Sequence, residues 1–197
     1  MSHADATIAV VGLGCTYPGA AVVDAFWRNI FAGTDAITEV PADRIDPRYF
    51  VDANHPGPPR ADRFACNRGG FVPPDALAFE PGRFGIMPVA VEGAEPDQLL
   101  ALKTAAASID DAGGLEDVAR DRVGVILGRG GYLTPGLVRL DQRVRTANQL
   151  LDTLRDLLPD VADDRLLDVK AAFEAQLGEL RPESAIGLVP NLAASIV

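Results

Sequence analysis

The chain has few of the residues that metal centres and disulfide frameworks need. Its 197 residues include only two cysteines and two histidines. His3 and His55 fall near the N-terminus and in a proline-rich stretch, so they do not make up the clustered ligand set of a zinc site. Cys15 and Cys66 are too few for a disulfide framework and indicate a reducing compartment. We therefore expect no metal site.

Positive charge is also scarce. The sequence has 28 acidic and 18 basic residues, which gives a formal net charge of −10, and only Lys103 and Lys170 are lysines. This balance argues against nucleic acid as a partner and offers no polybasic segment to an anionic membrane. No apolar run approaches the ~20 residues of a membrane helix, and the N-terminus lacks the basic region of a signal peptide. The sequence predicts a cytoplasmic, soluble protein with no nucleic-acid or membrane partner.

Two short apolar runs predict buried strands. Residues 7–11 and 122–127 are rich in β-branched side chains, and each run is followed by a glycine. Continuous apolar runs of this length are typical of strands that are buried on both faces of a sheet. With helical patterns between and after them, the fold class expected is α/β.

The sequence between these runs predicts two helices. Trp27 and Phe31 have the i, i+4 spacing of an apolar helix face that packs in the core, and Gly33 is positioned to end that helix. A second helix is expected to begin at residues 95–96, where proline falls in the first turn, and to stop at glycines 113–114. Its nearly continuous apolar composition predicts burial on all sides.

The C-terminal third carries a heptad-like pattern. Thr134 is a candidate N-cap followed by a proline, and apolar residues recur at steps of three and four over residues 137–158, up to Pro159. A second apolar face follows over residues 166–180. The pattern predicts an antiparallel helical hairpin at 135–181. Packing of the hairpin on its own domain is favoured over recruitment of a partner, because the seam covers only about three heptads.

Two glycine-rich turns follow the predicted strands. Gly12-Leu-Gly14 resembles the start of a dinucleotide-binding fingerprint, but Tyr17 occupies the position of the third small residue, which argues against nucleotide binding. Residues 128–132, Gly-Arg-Gly-Gly-Tyr, follow the second predicted strand at the edge where α/β folds gather ligands. Arg129 and Tyr132 could serve a ligand there, and a tight turn with positive φ angles explains the glycines equally well.

The motifs, taken in order, resemble those of the β-ketoacyl synthases, the condensing enzymes of fatty-acid and polyketide assembly. Residues 8–19, Ile-Ala-Val-Val-Gly-Leu-Gly-Cys-Thr-Tyr-Pro-Gly, are similar to that family's Ile-Ala-Ile-Val-Gly-Met-Ala-Cys-Arg-Phe-Pro-Gly. Residues 188–197 resemble the helix that leads to the family's catalytic cysteine. Further matches in the same order are Arg68-Gly-Gly-Phe71, Phe84-Gly-Ile-Met-Pro88, Glu95-Pro-Asp-Gln98 and Val123-Gly-Val-Ile-Leu-Gly128.

The resemblance implies a fold and an activity. It implies the N-terminal half of a thiolase-type layered α-β-α-β-α fold, with 1–197 as a partial β-ketoacyl synthase N-terminal domain and the helical hairpin as an insertion. The length of the hairpin is more similar to ketosynthases of polyunsaturated-fatty-acid-type synthases. The family's chemistry is decarboxylative Claisen condensation of substrates carried on the phosphopantetheine of an acyl carrier protein. The implied partners are that carrier protein, the remainder of the ketosynthase domain and a second copy in a homodimer, and no cofactor is bound by this chain itself.

The resemblance also places the family's functional residues. The catalytic cysteine and both catalytic histidines map beyond Val197, so no catalytic residue is assigned and the chain alone is expected to be inactive. The alternative is a non-catalytic partner or dimerisation module that completes a condensing enzyme. The resemblance assigns substrate-channel positions to Arg129, Tyr132 and Leu188, and dimer-interface positions to Asn191 and Ser195.

Overall fold

A computed structural model describes residues 8–51, 61–130, 134–189 and 191–195. The chain divides into two compact units, one formed by residues 1–78 and 103–120 and the other by residues 79–102 and 121–197. Helices and strands occur in the order α1 (Val23–Ala32), β1 (Ile37–Glu39), β2 (Arg68–Gly70), α2 (Pro88–Gly93), α3 (Pro96–Asp111), α4 (Pro135–Asp141), a π-helical segment (Gln142–Thr146), α5 (Ala147–Leu157), α6 (Asp163–Ala175), α7 (Ser184–Gly187) and α8 (Leu192–Ser195). Short 3-10 turns occupy Pro47–Tyr49, Pro81–Phe84 and Arg120–Arg122.

In the first unit, α1 ends where the sequence predicts. Gly33 adopts a left-handed conformation with φ of 62°, and its N–H caps the carbonyls of Asn29 and Ile30. The apolar face of α1 is not in a core, however. Trp27 is 49 % exposed and Phe31 is 85 % exposed. The prediction of core packing is wrong for this face, because the described residues place no other element over it.

The only sheet among the described residues is a small antiparallel pair in the first unit. Strand β1 pairs with β2 in the register Ile37 with Gly70 and Glu39 with Arg68. The guanidinium of Arg68 on β2 also donates to the carbonyl of Ile37 on β1 at 3.1 Å.

The two predicted buried strands are not strands in this structure. Residues 8–11 and 123–127 have no regular secondary structure in the described part of the chain. Their apolar side chains are exposed, by 89 % at Ile8 and 100 % at Ile126. A strand needs neighbours that take its backbone N–H and C=O groups, and within the described residues neither segment has such a neighbour. The prediction of buried strands is therefore wrong for the described residues, where both stretches are unpaired, exposed apolar segments.

The glycines of Gly12-Leu-Gly14 lie against the second half of α3. A Cβ at Gly12 would overlap the carbonyl oxygen of Ser108, and one at Gly14 would overlap that of Thr104. Leu13, between them, donates its N–H to Asp111 at 2.8 Å. Close backbone packing onto a helix thus explains these glycines without a phosphate ligand.

The helix α3 follows its sequence signals closely. Pro96 is its first residue, and the chain leaves the helix through Gly113 and Gly114, whose φ angles are 88° and 97°. Only Gln98 and Leu102 of the helix are buried; most other residues are partly covered rather than enclosed on all sides.

In the second unit, residues 135–181 contain a packed pair of helices. Helix α4, the π-helical segment and α5 run on without a break as far as Leu157, and α5 packs against α6. Leu151 of α5 and Leu166 of α6 are buried, and Lys170 donates to the side-chain oxygen of Asn148 across the pair at 2.6 Å. The second helix stops at Ala175 and is shorter than the apolar pattern predicts. Gly178, with φ of 77°, lies just beyond it.

The predicted N-cap of α4 is confirmed and supports a direct test. The Thr134 hydroxyl accepts a hydrogen bond from the N–H of Leu137 at 3.3 Å. We expect Thr134→Ala to lower the free energy of unfolding by about 1 kcal/mol in urea titrations, because the replacement leaves that N–H without its side-chain partner.

The matched control is Thr153→Ala. Thr153 lies within α5, and its hydroxyl donates back to the carbonyl of Gln149 at 2.7 Å. Such back-bonding does not stabilise a helix, so this variant is expected to stay within about 0.5 kcal/mol of the parent. Equal losses in the two variants would contradict the capping role of Thr134.

Candidate functional site

The buried polar side chains of the second unit meet at the first turn of α3. Gln98 is fully buried and Glu95 is 4 % exposed, and they are the two buried polar residues among those described. The Gln98 side-chain oxygen accepts from the N–H of Glu95 at 2.9 Å. This contact is one half of a capping box, in which the third helical residue reaches back to the N-cap.

The side-chain nitrogen of Gln98 binds a segment that is distant in the sequence. Its Nε2 donates to the carbonyls of Ile186 and Val189, each at 3.2 Å. One side chain therefore connects the start of α3 with the end of α7 and the residues after it. Leu188 lies inside the segment that this amide holds.

The Glu95 carboxylate accepts a hydrogen bond from the start of α4. Its Oε1 accepts from the N–H of Gly136 at 2.7 Å. A Cβ at Gly136 would overlap that same oxygen, so the approach depends on glycine at this position. The carboxylate satisfies an N–H of the first helical turn, which has no partner within the helix.

Arg129, predicted to line a substrate channel, forms an ion pair with the same turn of α3. Its Nε donates to Oδ2 of Asp97, and a terminal nitrogen donates to Oδ1 at 3.1 Å. The Arg129 side chain is only 17 % exposed, and a two-pronged arginine–carboxylate contact fixes the guanidinium plane. The structure thus explains Arg129 as a link between the segment 128–130 and α3. Tyr132 lies outside the described residues.

Leu188 contributes to a cavity of about 230 Å³ in the second unit. The ends of α2 and α4 and the chain between α6 and α7 form its walls. Arg181 crosses this region, donating to Glu92 at 2.7 Å and to Glu179 at 3.0 Å. Its hydrogen bond with Glu179 and the neighbouring charge of Glu92 raise the pKa of the Arg181 guanidinium.

Of the predicted dimer-interface residues, Asn191 directly precedes α8 and Ser195 is its last residue. The carbonyl of Asn191 accepts from the N–H of Ala194 at 3.1 Å and from the hydroxyl of Ser195 at 3.3 Å. Both Asn191 and Ser195 are exposed. Their part in a dimer stays a prediction.

The sequence predicts a helix start at residues 95–96 but predicts no contacts for the side chains of Glu95, Asp97 and Gln98. The available signal was the spacing Glu95-Pro-Asp-Gln98, which places glutamine at the third helical position after an N-cap, as in a capping box. The distant partners at residues 129, 136, 186 and 189 had no such signal.

The described residues contain no group of three or more histidine, cysteine, aspartate or glutamate side chains that could hold a metal ion. Cys15 is half-buried and Cys66 is exposed, and both are free thiols. In the part of the chain that the structure describes, no helix is both long and apolar enough to cross a membrane.

Comparison with known proteins identifies the family. Residues 5–161 match the family described as β-ketoacyl synthase, N-terminal domain. The chain is 40 % identical over 114 residues to polyketide synthase ThaQ of Burkholderia thailandensis, a match that covers 56 % of this chain and 5 % of that protein. It is 36 % identical over 135 residues to polyketide synthase PksN of Bacillus subtilis, covering 66 % of this chain and 2 % of that protein.

A polyunsaturated fatty acid synthase and a solved structure are also similar. The synthase, from a Thraustochytrium species, is 30 % identical over 129 residues, which cover 64 % of this chain and 4 % of that protein. The oxazolomycin ketosynthase domain OzmH KS7 of Streptomyces albus matches with 34 % identity and a TM-score of 0.47, over 53 % of this chain and 18 % of that chain. The chain therefore spans only a small part of the length of its relatives.

The family match covers well over half of the sequence. The chain belongs to the β-ketoacyl synthase family and represents part of its N-terminal domain. Its fold class is accordingly α/β of the thiolase type, as the sequence predicts.

Proposed function

We propose that the chain is the N-terminal segment of a β-ketoacyl-[acyl carrier protein] synthase, which joins acyl and malonyl units by decarboxylative Claisen condensation in polyketide or fatty-acid biosynthesis. The observation that carries this proposal is the match of residues 5–161 to the family's N-terminal domain. The relatives are polyketide and polyunsaturated fatty acid synthases, which supports both product classes.

We further propose that the chain is inactive alone. Condensation needs an activated cysteine nucleophile and donors for the thioester oxyanion, and the family's two histidines assist decarboxylation of the malonyl unit. None of these catalytic positions maps onto residues 1–197. The described residues contain no histidine, so neither Cys15 nor Cys66 has an imidazole base among them.

The unpaired apolar segments support completion by further ketosynthase residues. Residues 8–11 and 123–127 have the composition of central strands, yet their side chains are exposed. Burying such surface is worth about 25 cal/mol per Å². A sheet supplied by the remainder of the domain would pair their backbones and cover their side chains, which makes that remainder the first partner of this chain.

In the completed domain, Glu95, Asp97 and Gln98 at the first turn of α3 would have a structural role, because they hold the start of α4 and residues proposed for the acyl channel. Gln98 holds the segment that includes Leu188. Glu95 holds the start of α4 at Gly136, and Asp97 holds Arg129. In this proposal Arg129, Tyr132 and Leu188 border the acyl channel, and Asn191 and Ser195 face a second copy in a homodimer. Substrates arrive on the phosphopantetheine of an acyl carrier protein in the cytoplasm, and the chain binds no cofactor of its own.

The alternative is a non-catalytic partner that completes or dimerises with a condensing enzyme. The exposed aromatic face of α1 favours it, because exposed apolar patches often mark interaction sites. Neighbouring rings there touch one another, with centroids of Trp27 and Phe31 6.1 Å apart.

The proposal is tested by a condensation assay. The full 197-residue chain is mixed with acyl and malonyl carrier-protein thioesters, with and without a separately produced polypeptide that carries the remaining ketosynthase residues of its own synthase. We expect no turnover from the chain alone and measurable β-ketoacyl product from the mixture. The control is the same mixture with the catalytic cysteine of the added polypeptide changed to alanine.

Two results would overturn parts of the proposal. Turnover by the chain alone above the enzyme-free blank would contradict its inactivity. Failure of the mixture to turn over, together with tight binding of the chain to an intact condensing enzyme in size-exclusion chromatography, would instead favour the non-catalytic partner.

A further inference from the structure

The cavity of the second unit has an apolar part and a cationic part in its lining. Its apolar wall includes Leu140 and Leu177, both half-buried, and Leu188. Two cationic side chains, Arg139 and Arg143, complete the wall on the side of α4 and the π-helical segment. Neither arginine is among the site residues that the family resemblance implies.

The carboxylates of this cavity are already engaged. Glu92 and Glu179 share Arg181, at 2.7 and 3.0 Å, and Glu95 accepts from the N–H of Gly136. The charge of Glu183 also acts on Arg181. The acidic side chains therefore leave the other two guanidinium groups of the cavity without a partner carboxylate among the described residues.

Those two guanidinium groups donate only to backbone oxygens in the described chain. Arg139 donates to the carbonyl of Pro135 at 3.3 Å, and Arg143 to that of Gly178 at 2.5 Å. A guanidinium has five N–H donors, so most of the donors on each remain available. The arginines are four residues apart, a spacing at which like charges on one helix face repel each other. An anion placed between them would remove that repulsion.

The helix is also irregular at this point. Gln142–Thr146 is a π-helical segment within an otherwise α-helical run. Such segments are rare and are frequently found at functional sites. Here the segment contains Arg143 and follows directly after the turn that contains Arg139 and Leu140, so the irregularity coincides with the wall of the cavity.

We propose that this cavity binds a small amphipathic carboxylate, with its carboxyl group between Arg139 and Arg143 and its apolar chain against Leu140, Leu177 and Leu188. A cavity of about 150 Å³ holds benzene, so 230 Å³ suits a fatty acid of about six to eight carbons by the same scale. Arginine matches the planar carboxylate with two parallel N–H donors. The proposal does not depend on condensing activity.

The test measures binding of octanoate to the full chain by calorimetry and by saturation-transfer NMR, with octan-1-ol and octylammonium as probes of the same length. We expect saturable binding of octanoate and at least about tenfold weaker binding of the other two, since a hydrogen-bonded ionic contact contributes about that factor. The double variant R139Q/R143Q should lose at least about tenfold in octanoate affinity for the same reason. The matched control is Arg145→Gln, because Arg145 lies in the same π-helical segment but pairs with Asp141 at 2.9 Å outside the cavity wall.

Two further variants keep the test decisive. Arg139→Gln alone changes an exposed side chain and leaves the contact of Arg143 with Gly178 in place, so it should fold and still weaken octanoate binding. Leu140→Trp should block the cavity and weaken octanoate and octanol alike. The proposal is overturned if the parent chain shows no saturable octanoate binding, if octylammonium binds as well as octanoate, or if R139Q/R143Q and R145Q bind octanoate equally.

Discussion

Replacing Gln98 with leucine is expected to lower the free energy of unfolding by about 3 kcal/mol or more, although the two side chains have similar volumes. The change would leave the N–H of Glu95 and the carbonyls of Ile186 and Val189 without their present partner. Each buried polar group that loses its hydrogen bond costs about 1–3 kcal/mol. For three groups the sum is about 3–9 kcal/mol. We expect a value in the lower part of this range, because Val189 is exposed and water can reach its carbonyl.

Urea denaturation of Gln98→Leu and of Gln149→Leu measures this directly. Gln149 is an exposed glutamine on α5, so the same chemical change there should stay within about 0.5 kcal/mol of the parent. Equal effects at the two positions would show that the Gln98 contacts contribute nothing specific.

A second variant, Gln98→Glu, adds a pH dependence with a defined sign. Burial next to two carbonyl oxygens would raise the pKa of the introduced carboxyl above its value in the unfolded chain. A raised pKa means that stability is present at low pH and is lost as pH rises. The variant should therefore be closer to the parent near pH 4 than at pH 7, whereas Gln98→Leu should show no such difference from the parent.

The elements that the sequence predicts well are those with local chemistry. The N-cap at Thr134, the helix end at Gly33 and the stop at glycines 113–114 each depend on groups within five residues. A cap needs one hydroxyl near one N–H, and a left-handed helix end needs a residue without a Cβ. Neither depends on the rest of the fold, so spacing alone suffices.

The strands and the aromatic face were not predictable in the same way. The apolar composition of residues 8–11 and 123–127 expresses a preference for burial, but a strand forms only against a partner backbone that lies elsewhere in the sequence. Trp27 and Phe31 likewise have the spacing of a buried face and no element over them in the described chain. Composition reports what a segment favours, whereas its burial depends on what covers it.

The candidate site contains both local and long-range contacts. The hydrogen bond from the Glu95 N–H to the Gln98 side chain is local, and the sequence Glu95-Pro-Asp-Gln98 has the spacing of a capping box. Its bonds to Ile186 and Val189 span 88 and 91 residues, and the ion pair of Arg129 with Asp97 spans 32. Contacts between residues so far apart leave no periodic pattern in the sequence, so the pairing of Arg129 with Asp97 could not be predicted from it.

Gly93→Ala is expected to lower the free energy of unfolding by about 2–3 kcal/mol, an overpacking cost at the close contact of α2 and α7. A Cβ at Gly93 would overlap the carbonyl oxygen of Glu183, and one at Gly187 would lie 2.8 Å from the carbonyl of Gly93. The two helices have six and four residues, too short to be stable alone. Their stability therefore depends on a backbone approach that only glycine permits.

The matched control is Gly82→Ala in the same unit, where an added Cβ meets nothing within 4 Å. Neither Gly82 nor Gly93 has a positive φ, so alanine fits the backbone at both positions and only the neighbouring atoms differ. Alanine reduces the entropy of the unfolded chain, and Gly82→Ala should match the parent or exceed it by up to about 1 kcal/mol. Urea titrations of the two variants separate these effects. If Gly93→Ala proved as stable as Gly82→Ala, the helices would have to pack farther apart than this structure places them, and the cavity that begins at Glu92 and Gly93 would change with them.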